Sequence, residues 1–251
     1  MANGVALPAG PVYLYAITAG KSAAPRLLNA SGIDASGRIT GIPAGAFTAW
    51  ASAIDARGFA ESLERNIENL DRLAEATLRH QNAIHAIAAA TKETLLPTRF
   101  GVVFSSVEAL VEDVARRAKD LQTSAKRVAG CEEWGVKVFH VSSPTTRAAF
   151  RTASSGADYL RKKAAALSTD GATDGAIQAF ARDLASVARA SSQSGKVSSG
   201  QKGLQWQATF LVPAAKRKQW DNVLRRYASE WGEERSIECT GPWPPYSFVS
   251  E

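Results

Sequence analysis

Hydrophobic and polar positions divide the chain into stretches of clearly different period. Val12-Tyr13-Leu14-Tyr15-Ala16-Ile17-Thr18 is a continuous β-branched and aromatic run between Pro11 and Gly20, which predicts a first strand. Residues 20–45 are rich in Gly, Ala, Ser and Pro and predict a loop with a short hairpin arm. Ala46–Ile54 predicts a second strand. From Gly58 to Ala90 the spacing lengthens. Leu63, Ile67, Leu70, Leu73, Leu78, Ile84 and Ile87 recur every three or four residues, which predicts a long helix with one apolar stripe.

Leu95–Phe104 predicts a further strand, with Pro97 near its start where a missing N–H is tolerated. Ser105 followed by Glu108 fits a capping box and opens a helix with Val107, Leu110, Val111, Val114, Leu121 and Val128 on its apolar face. Gly130 stands where a left-handed cap is expected. Trp134–Val141 predicts a strand directly afterwards. The order β-β-α-β-α-β predicts an α+β fold, with residues 11–141 forming a ferredoxin-like variant whose helices cover one face of the sheet.

Ser142–Thr146 reads as a linker to a second α+β domain over residues 147–251. Asp158–Leu167 and Thr173–Arg189 predict helices, the second carrying Ile177, Phe180, Leu184 and Val187 at helical spacing. Residues 191–203 are polar, Gly/Ser-rich and aperiodic, and predict a flexible loop. Leu204–Phe210 alternates strictly, as a strand with one wet face does. Pro213 opens a last helix with Trp220, Val223, Leu224, Tyr227 and Trp231 inward, and Arg235–Thr240 predicts a final strand. Residues 241–251 form a Pro- and aromatic-rich tail. Trp243, Pro244, Pro245, Tyr246 and Phe248 are its candidate structural anchors, Trp243 being large enough to pin it to the body.

Composition changes this picture little. The chain has 251 residues, 45% hydrophobic and 22% charged, enough for two modest cores. No apolar run approaches the roughly 20 residues that span a bilayer, and no basic-then-apolar leader opens the chain, so the expectation is a cytoplasmic protein with no membrane contact. The two cysteines, Cys131 and Cys239, suggest buried thiols rather than a disulfide framework. Charge is uneven. Residues 1–145 carry 15 Lys/Arg against 14 Asp/Glu, and residues 146–251 carry 15 against 10. The basic half leaves nucleic-acid binding open as an alternative function.

Candidate chemistry is sparse. Ala19-Gly20-Lys21-Ser22 follows a strand but lacks the leading glycine of a phosphate loop, since Tyr15 stands there, and Pro25 interrupts the required helix. His80 and His85 are five apart, about 140° around a helix, so they do not share a face as metal ligands would. His80 is expected to make an interhelical or surface hydrogen bond. Arg99-Phe100-Gly101-Val102-Val103-Phe104 has aromatics at period two, as base-stacking strands do, but Leu95–Thr98 does not match the usual basic-glycine start. Phe100 and Phe104 are expected in a core. No catalytic, cofactor or metal residues emerge, and no enzyme is expected.

Leu-Leu-Pro-Thr-Arg-Phe-Gly-Val-Val-Phe (95–104), Glu-Trp-Gly-Val-Lys-Val-Phe (133–139) and above all Thr-Gly-Pro-Trp-Pro-Pro-Tyr-Ser-Phe-Val (240–249) resemble the motifs of the GvpL/GvpF family of gas vesicle proteins. Tyr13–Ala16 and Arg79-His80 fit as well. Thr98, where an apolar residue is usual, and Gln81, where Glu is frequent, depart from the pattern. The resemblance implies an N-terminal ferredoxin-like domain, a C-terminal α+β domain and a non-enzymatic accessory role in gas vesicle assembly. Its implied partners are the hydrophobic shell protein GvpA and other accessory Gvp proteins. The sheet expected to carry both 99–104 and 134–139, at the seam between domains, makes Arg99, Phe100, Phe104, Trp134 and Lys137 candidate partner-binding residues, with Arg99 and Lys137 as polar anchors.

Overall fold

The computed structural model describes residues 9–20, 26–33, 37–55, 70–141, 175–192 and 201–249. Lys21-Ser22, the helix start over 58–69, the linker 142–146, the helix 158–167 and residues 193–200 of the expected loop lie outside them. The described chain is α+β and separates into two compact units. One comprises residues up to Ala129 together with those from Pro244 onward, and the other is Gly130–Trp243.

The first unit is built on β1 (Val12–Ala19), β2 (Arg26–Ser31), β3 (Arg38–Ala44), β4 (Phe47–Ala53), β5 (Thr94–Pro97) and β6 (Val103–Phe104). The antiparallel order is β2-β3-β4-β1-β5, with β6 also pairing β1. The Gly- and Ala-rich arm is therefore a true hairpin, and β3 carries it into the main sheet through β4. Helix α1 (Leu70–Thr91) packs Ala83, Ile84 and Ile87 against Tyr13, Tyr15, Trp50 and Leu95. Helices α2 (Val107–Arg116) and α3 (Ala118–Val128) pack against β3, β4 and β5.

Helices thus cover both faces of this sheet, not one as expected. The reason lies in β1, where Val12 through Ala16 are fully buried at consecutive positions. Successive side chains point to opposite faces, so such a run needs cover on each. The strand order also departs from the ferredoxin-like arrangement expected for residues 11–141.

Two further expectations change locally. The helix predicted as one piece is broken at Arg117 (φ −93°, ψ 9°), and its cap is Ser106 rather than Ser105, whose neighbour's hydroxyl accepts from the Ala109 N–H at 3.3 Å. Gly130 has φ +65°, the left-handed geometry expected after the helix end.

The second unit consists of β7 (Cys131–His140), α4 (Gly175–Val187), β8 (Ala190–Ser192), β9 (Leu204–Pro213), a 3-10 turn (Ala214–Lys216), α5 (Arg217–Trp231) and β10 (Arg235–Trp243). Its antiparallel order is β10-β7-β9-β8. Strand β7 belongs here, not in the sheet with residues 99–104. Trp134, Val136 and Val138 lie opposite Phe210, Ala208 and Trp206 of β9, and that shared apolar face packs on Ile177, Phe180, Leu184, Trp220, Tyr227 and Trp231. The described elements of this unit run β-α-β-β-α-β, which is not the β-β-α-β-α-β order expected at the N-terminus.

The tail divides between the units. Trp243 ends β10 beside Glu133 and is 43% exposed, so it is not the pin that was expected. Pro245 and Phe248 are buried in the first unit, and the Phe248 carbonyl accepts from Arg127 Nη1 at 3.2 Å.

Candidate functional site

The Leu-Leu-Pro-Thr-Arg-Phe-Gly motif folds as a strand end and a turn, not as one continuous strand. A bulge in β1 between Leu14 and Ala16 disturbs the ladder at Tyr15. Thr98 exploits it. Its N–H donates to the Tyr15 carbonyl at 2.9 Å, and its hydroxyl lies 2.8 and 2.9 Å from the carbonyls of Leu14 and Tyr15. The departure at Thr98 from an apolar residue therefore serves the backbone. Beyond it the chain turns through Gly101 (φ +93°), a conformation that favours glycine, and rejoins β1 where Leu14 N–H meets the Val102 carbonyl at 2.9 Å.

A buried relay fixes this turn. The Gly101 N–H donates to the Tyr13 hydroxyl at 2.9 Å, and that hydroxyl donates to His80 Nδ1 at 2.9 Å. His80 Nε2–H then donates to the Thr98 carbonyl at 3.2 Å. This proton arrangement follows because a carbonyl can only accept. His80 is 2% exposed, so its bond is interior rather than on a surface. Burial pulls its pKa below the ordinary histidine value, with the Thr98 carbonyl opposing, and pushes the Tyr13 phenol well up. Phe100 stands edge-on to His80 (centroids 5.8 Å apart, 81°) and to Tyr13 (6.3 Å, 64°). It caps an aromatic cluster, which is the core role expected for it. Phe104 is half-buried in β6, and the intervening turn removes the shared strand face assumed for these two phenylalanines.

On the opposite face of β1 is a half-open cavity of about 190 Å³. Leu14, Ile17, Leu96, Val102, Leu121 and Val249 supply its apolar walls. Arg99, which is exposed, and Arg117 also line it. Arg117 Nε donates to Asp113 Oδ2 at 2.8 Å, and Arg116 bonds the same carboxylate. Tyr246 of the tail also contributes. Of these residues, only Arg99 and Tyr246 were singled out from the sequence as candidates. Cavity walls from β1, α3 and the tail are far apart in the chain, and only the glycine inside an apolar run hinted at a turn.

Trp134 and Lys137 lie in the second unit and are engaged there. Trp134 is 4% exposed, its indole N–H donates to Glu132 at 3.2 Å, and the Arg217 guanidinium sits 3.7 Å from its ring centroid. Lys137 pairs across the strands with Glu238 at 3.8 Å. The five candidate partner-binding residues thus belong to two different sheets. Three arginines of α5 are also engaged locally: Arg217 with Asp221, Arg225 with Asn222, and Arg226 with Asp183 and Glu230.

Cys131 and Cys239 are free and half-buried, with burial raising both thiol pKa values. Among the described residues no three His, Cys, Asp or Glu side chains gather as metal ligands, and no helix is long and apolar enough to cross a membrane.

Comparison with known proteins points in one direction. Residues 11–250 match the family described as gas vesicle synthesis protein GvpL/GvpF. Gas vesicle protein L of a Streptomyces species is 33% identical over 223 residues, covering 82% of this chain and 80% of its own. Gas vesicle protein F1 of Halobacterium salinarum is 24% identical over 180 residues, covering 71% of each. The crystal structure of GvpF from an Anabaena species superposes with a TM-score of 0.69 at 20% identity, over 97% of both chains. That of GvpF from Microcystis aeruginosa gives 0.65 at 17% identity, over 96% of this chain and 99% of its own.

Proposed function

The chain belongs to the gas vesicle synthesis GvpL/GvpF family, and from that premise we propose that it is a cytoplasmic, non-enzymatic accessory protein that binds the hydrophobic shell protein GvpA during vesicle assembly. The observation that carries this reading is the extent of the family match, which takes in both units and the tail.

A shell subunit with a large apolar face aggregates unless something covers it before it polymerises. An accessory protein can supply that cover through a preformed apolar site whose rim is polar enough to stay soluble. In this chain the turn at Arg99–Val102, with Phe104 beyond it, is the surface we assign to that contact. The Tyr13–His80–Thr98 relay holds the turn in place before any partner arrives, which lowers the ordering cost of binding. Trp134 contributes by packing in the core of the second unit, and Lys137 stays paired with Glu238 on its sheet. Other accessory gas vesicle proteins would join the same assembly.

Co-purification of this protein with co-expressed shell protein tests the contact, and light scattering of a deletion strain tests the role. The expected result is joint elution, together with loss of vesicles on deletion. Normal vesicles in a strain with no paralogue would overturn the assembly role.

A further inference from the structure

We infer that Tyr13 and His80 form an acid-operated latch on the Arg99–Val102 turn, in which a proton taken up at His80 Nδ1 releases the Gly101 N–H and loosens the turn. That the latch also regulates partner contact rests on the reading of this turn as the surface that meets the shell protein.

The donors and acceptors within the relay carry the inference. With His80 neutral, each donor meets its own acceptor. The Gly101 N–H is 2.9 Å from the Tyr13 oxygen, the Tyr13 O–H points at His80 Nδ1 at 2.9 Å, and the Nε2–H meets the Thr98 carbonyl at 3.2 Å. A proton on Nδ1 turns that acceptor into another donor. The Tyr13 hydrogen must then leave the line to His80, and the Tyr13 oxygen is claimed by Nδ1–H as well as by Gly101.

Burial decides which bond yields. Tyr13 is fully buried and His80 is 2% exposed, so a donor left unmet on either is costly. Gly101 is exposed, and water can take the place of the phenol on its N–H. The latch therefore opens at Gly101. Phe100, which leans edge-on against both rings, loosens with it.

The surroundings leave the new charge uncompensated. The titratable groups facing His80 are Tyr13 and Tyr15 of β1, with ring centroids 5.6 and 6.0 Å away, and Tyr246 of the tail acts on Tyr13. All are phenols, uncharged below about pH 8. Strand β5 brings no titratable side chain, Arg99 of the turn is exposed, and on α1 Arg79 pairs with Glu75 while His85 is exposed. Among the described residues no carboxylate contacts the ring. The closed turn thus holds His80 neutral, and the open turn accepts the proton more readily because the phenol oxygen is released from Gly101. Opening grows as pH falls, and uptake of one proton limits the gain to about tenfold per pH unit.

The test follows amide hydrogen exchange and His80 ring resonances in the full chain between pH 7.5 and 5.5. With the intrinsic rate divided out, protection of Gly101 should fall by up to about tenfold per pH unit and lie below that of Ile84 throughout. The Gly101 amide shift and the His80 ring should share one midpoint. Tyr13→Phe and His80→Gln should each leave Gly101 weakly protected at every pH, whereas His85→Gln should keep the slope of the unaltered chain.

A Gly101 amide as well protected as Ile84, or one whose protection ignores pH, would overturn the latch without recourse to any variant. A slope that survives Tyr13→Phe, or vanishes with His85→Gln, would do the same. The measurement uses no partner, so the two readings fail separately. A flat profile with shell protein still co-purifying removes only the latch. A steep profile without co-purification removes only the named partner.

Discussion

In the first unit the central strand β1 is buried at every position from Val12 to Ile17, whereas β9 of the second is buried only at alternate positions from Leu204 to Phe210. Covering a sheet on both faces leaves no wet side for polar groups, so the first unit carries them inside. Thr18, Thr40, Thr48, Ser52, His80 and Ser124 are all buried there, while Glu133 is the one such residue of the second unit among those described. The second unit instead closes its single dry face with aromatic rings. Phe180 alone meets Trp206, Tyr227 and Trp231 with centroids 5.8, 4.9 and 5.1 Å away. The first unit therefore adds buried hydrogen bonds to its apolar core, whereas the second relies on filled volume, and they should fail under different insults.

The largest expected effect is on volume. Phe180→Ala should destabilise the second unit by about 3–5 kcal/mol, read by denaturant unfolding through tryptophan fluorescence. A loss below about 1 kcal/mol would mean that the aromatic cluster does not bear the stability assigned to it. Tyr13→Phe makes the opposite test, since it barely changes volume but strips partners from both the Gly101 N–H and His80 Nδ1. We expect about 2 kcal/mol of destabilisation in the first unit and faster hydrogen exchange at Gly101. A neutral result would dissolve the contrast between the units.

Acid sharpens it further. In the unfolded chain His80 takes up a proton near pH 6.5, and in the folded chain only at lower pH, because burial penalises the charge. Between those values the unfolded state holds more protons, so stability falls as pH drops below about 6.5, by at most about 1.4 kcal/mol per pH unit. Urea midpoints between pH 7.5 and 5.5 should show this slope in the first unit, and His80→Gln should flatten it. The smallest effect concerns helix starts. Ser106→Ala removes the side-chain cap of α2 and should cost about 1 kcal/mol. Lys216→Ala, at the side-chain-uncapped start of α5, should cost close to nothing in the same thermal melt.

Local patterns were read correctly wherever the signal was itself local. The alternation of Leu204–Phe210, the helical spacing of Ile177 to Val187 and the left-handed Gly130 all stand in the structure as the residues predicted. Pairing partners are another matter. Trp134, Val136 and Val138 are an apolar strand face in any sheet, and only the match to Trp206, Ala208 and Phe210 places them in the second. The run 95–104 hid its turn because Phe100 and Val102 are good strand residues, and the break depends on a bulge in β1 and a hydroxyl at Thr98. The relay through His80 joins residues 67 positions apart in the chain, and the cavity gathers β1, α3 and the tail. No window of sequence contains such a site.

The return of Pro244–Val249 to the first unit sets an order in time. During synthesis the ribosome delivers all of Gly130–Trp243 before it makes the piece that finishes the first unit. Until then the nascent chain has the wall of Leu14, Ile17 and Leu121 without Val249 to close it, and Phe248 has yet to exist. Nascent domains normally mature from the N-terminus onward. Here the N-terminal unit is completed after the second one, so the apolar site becomes whole only once Gly130–Trp243 has been made.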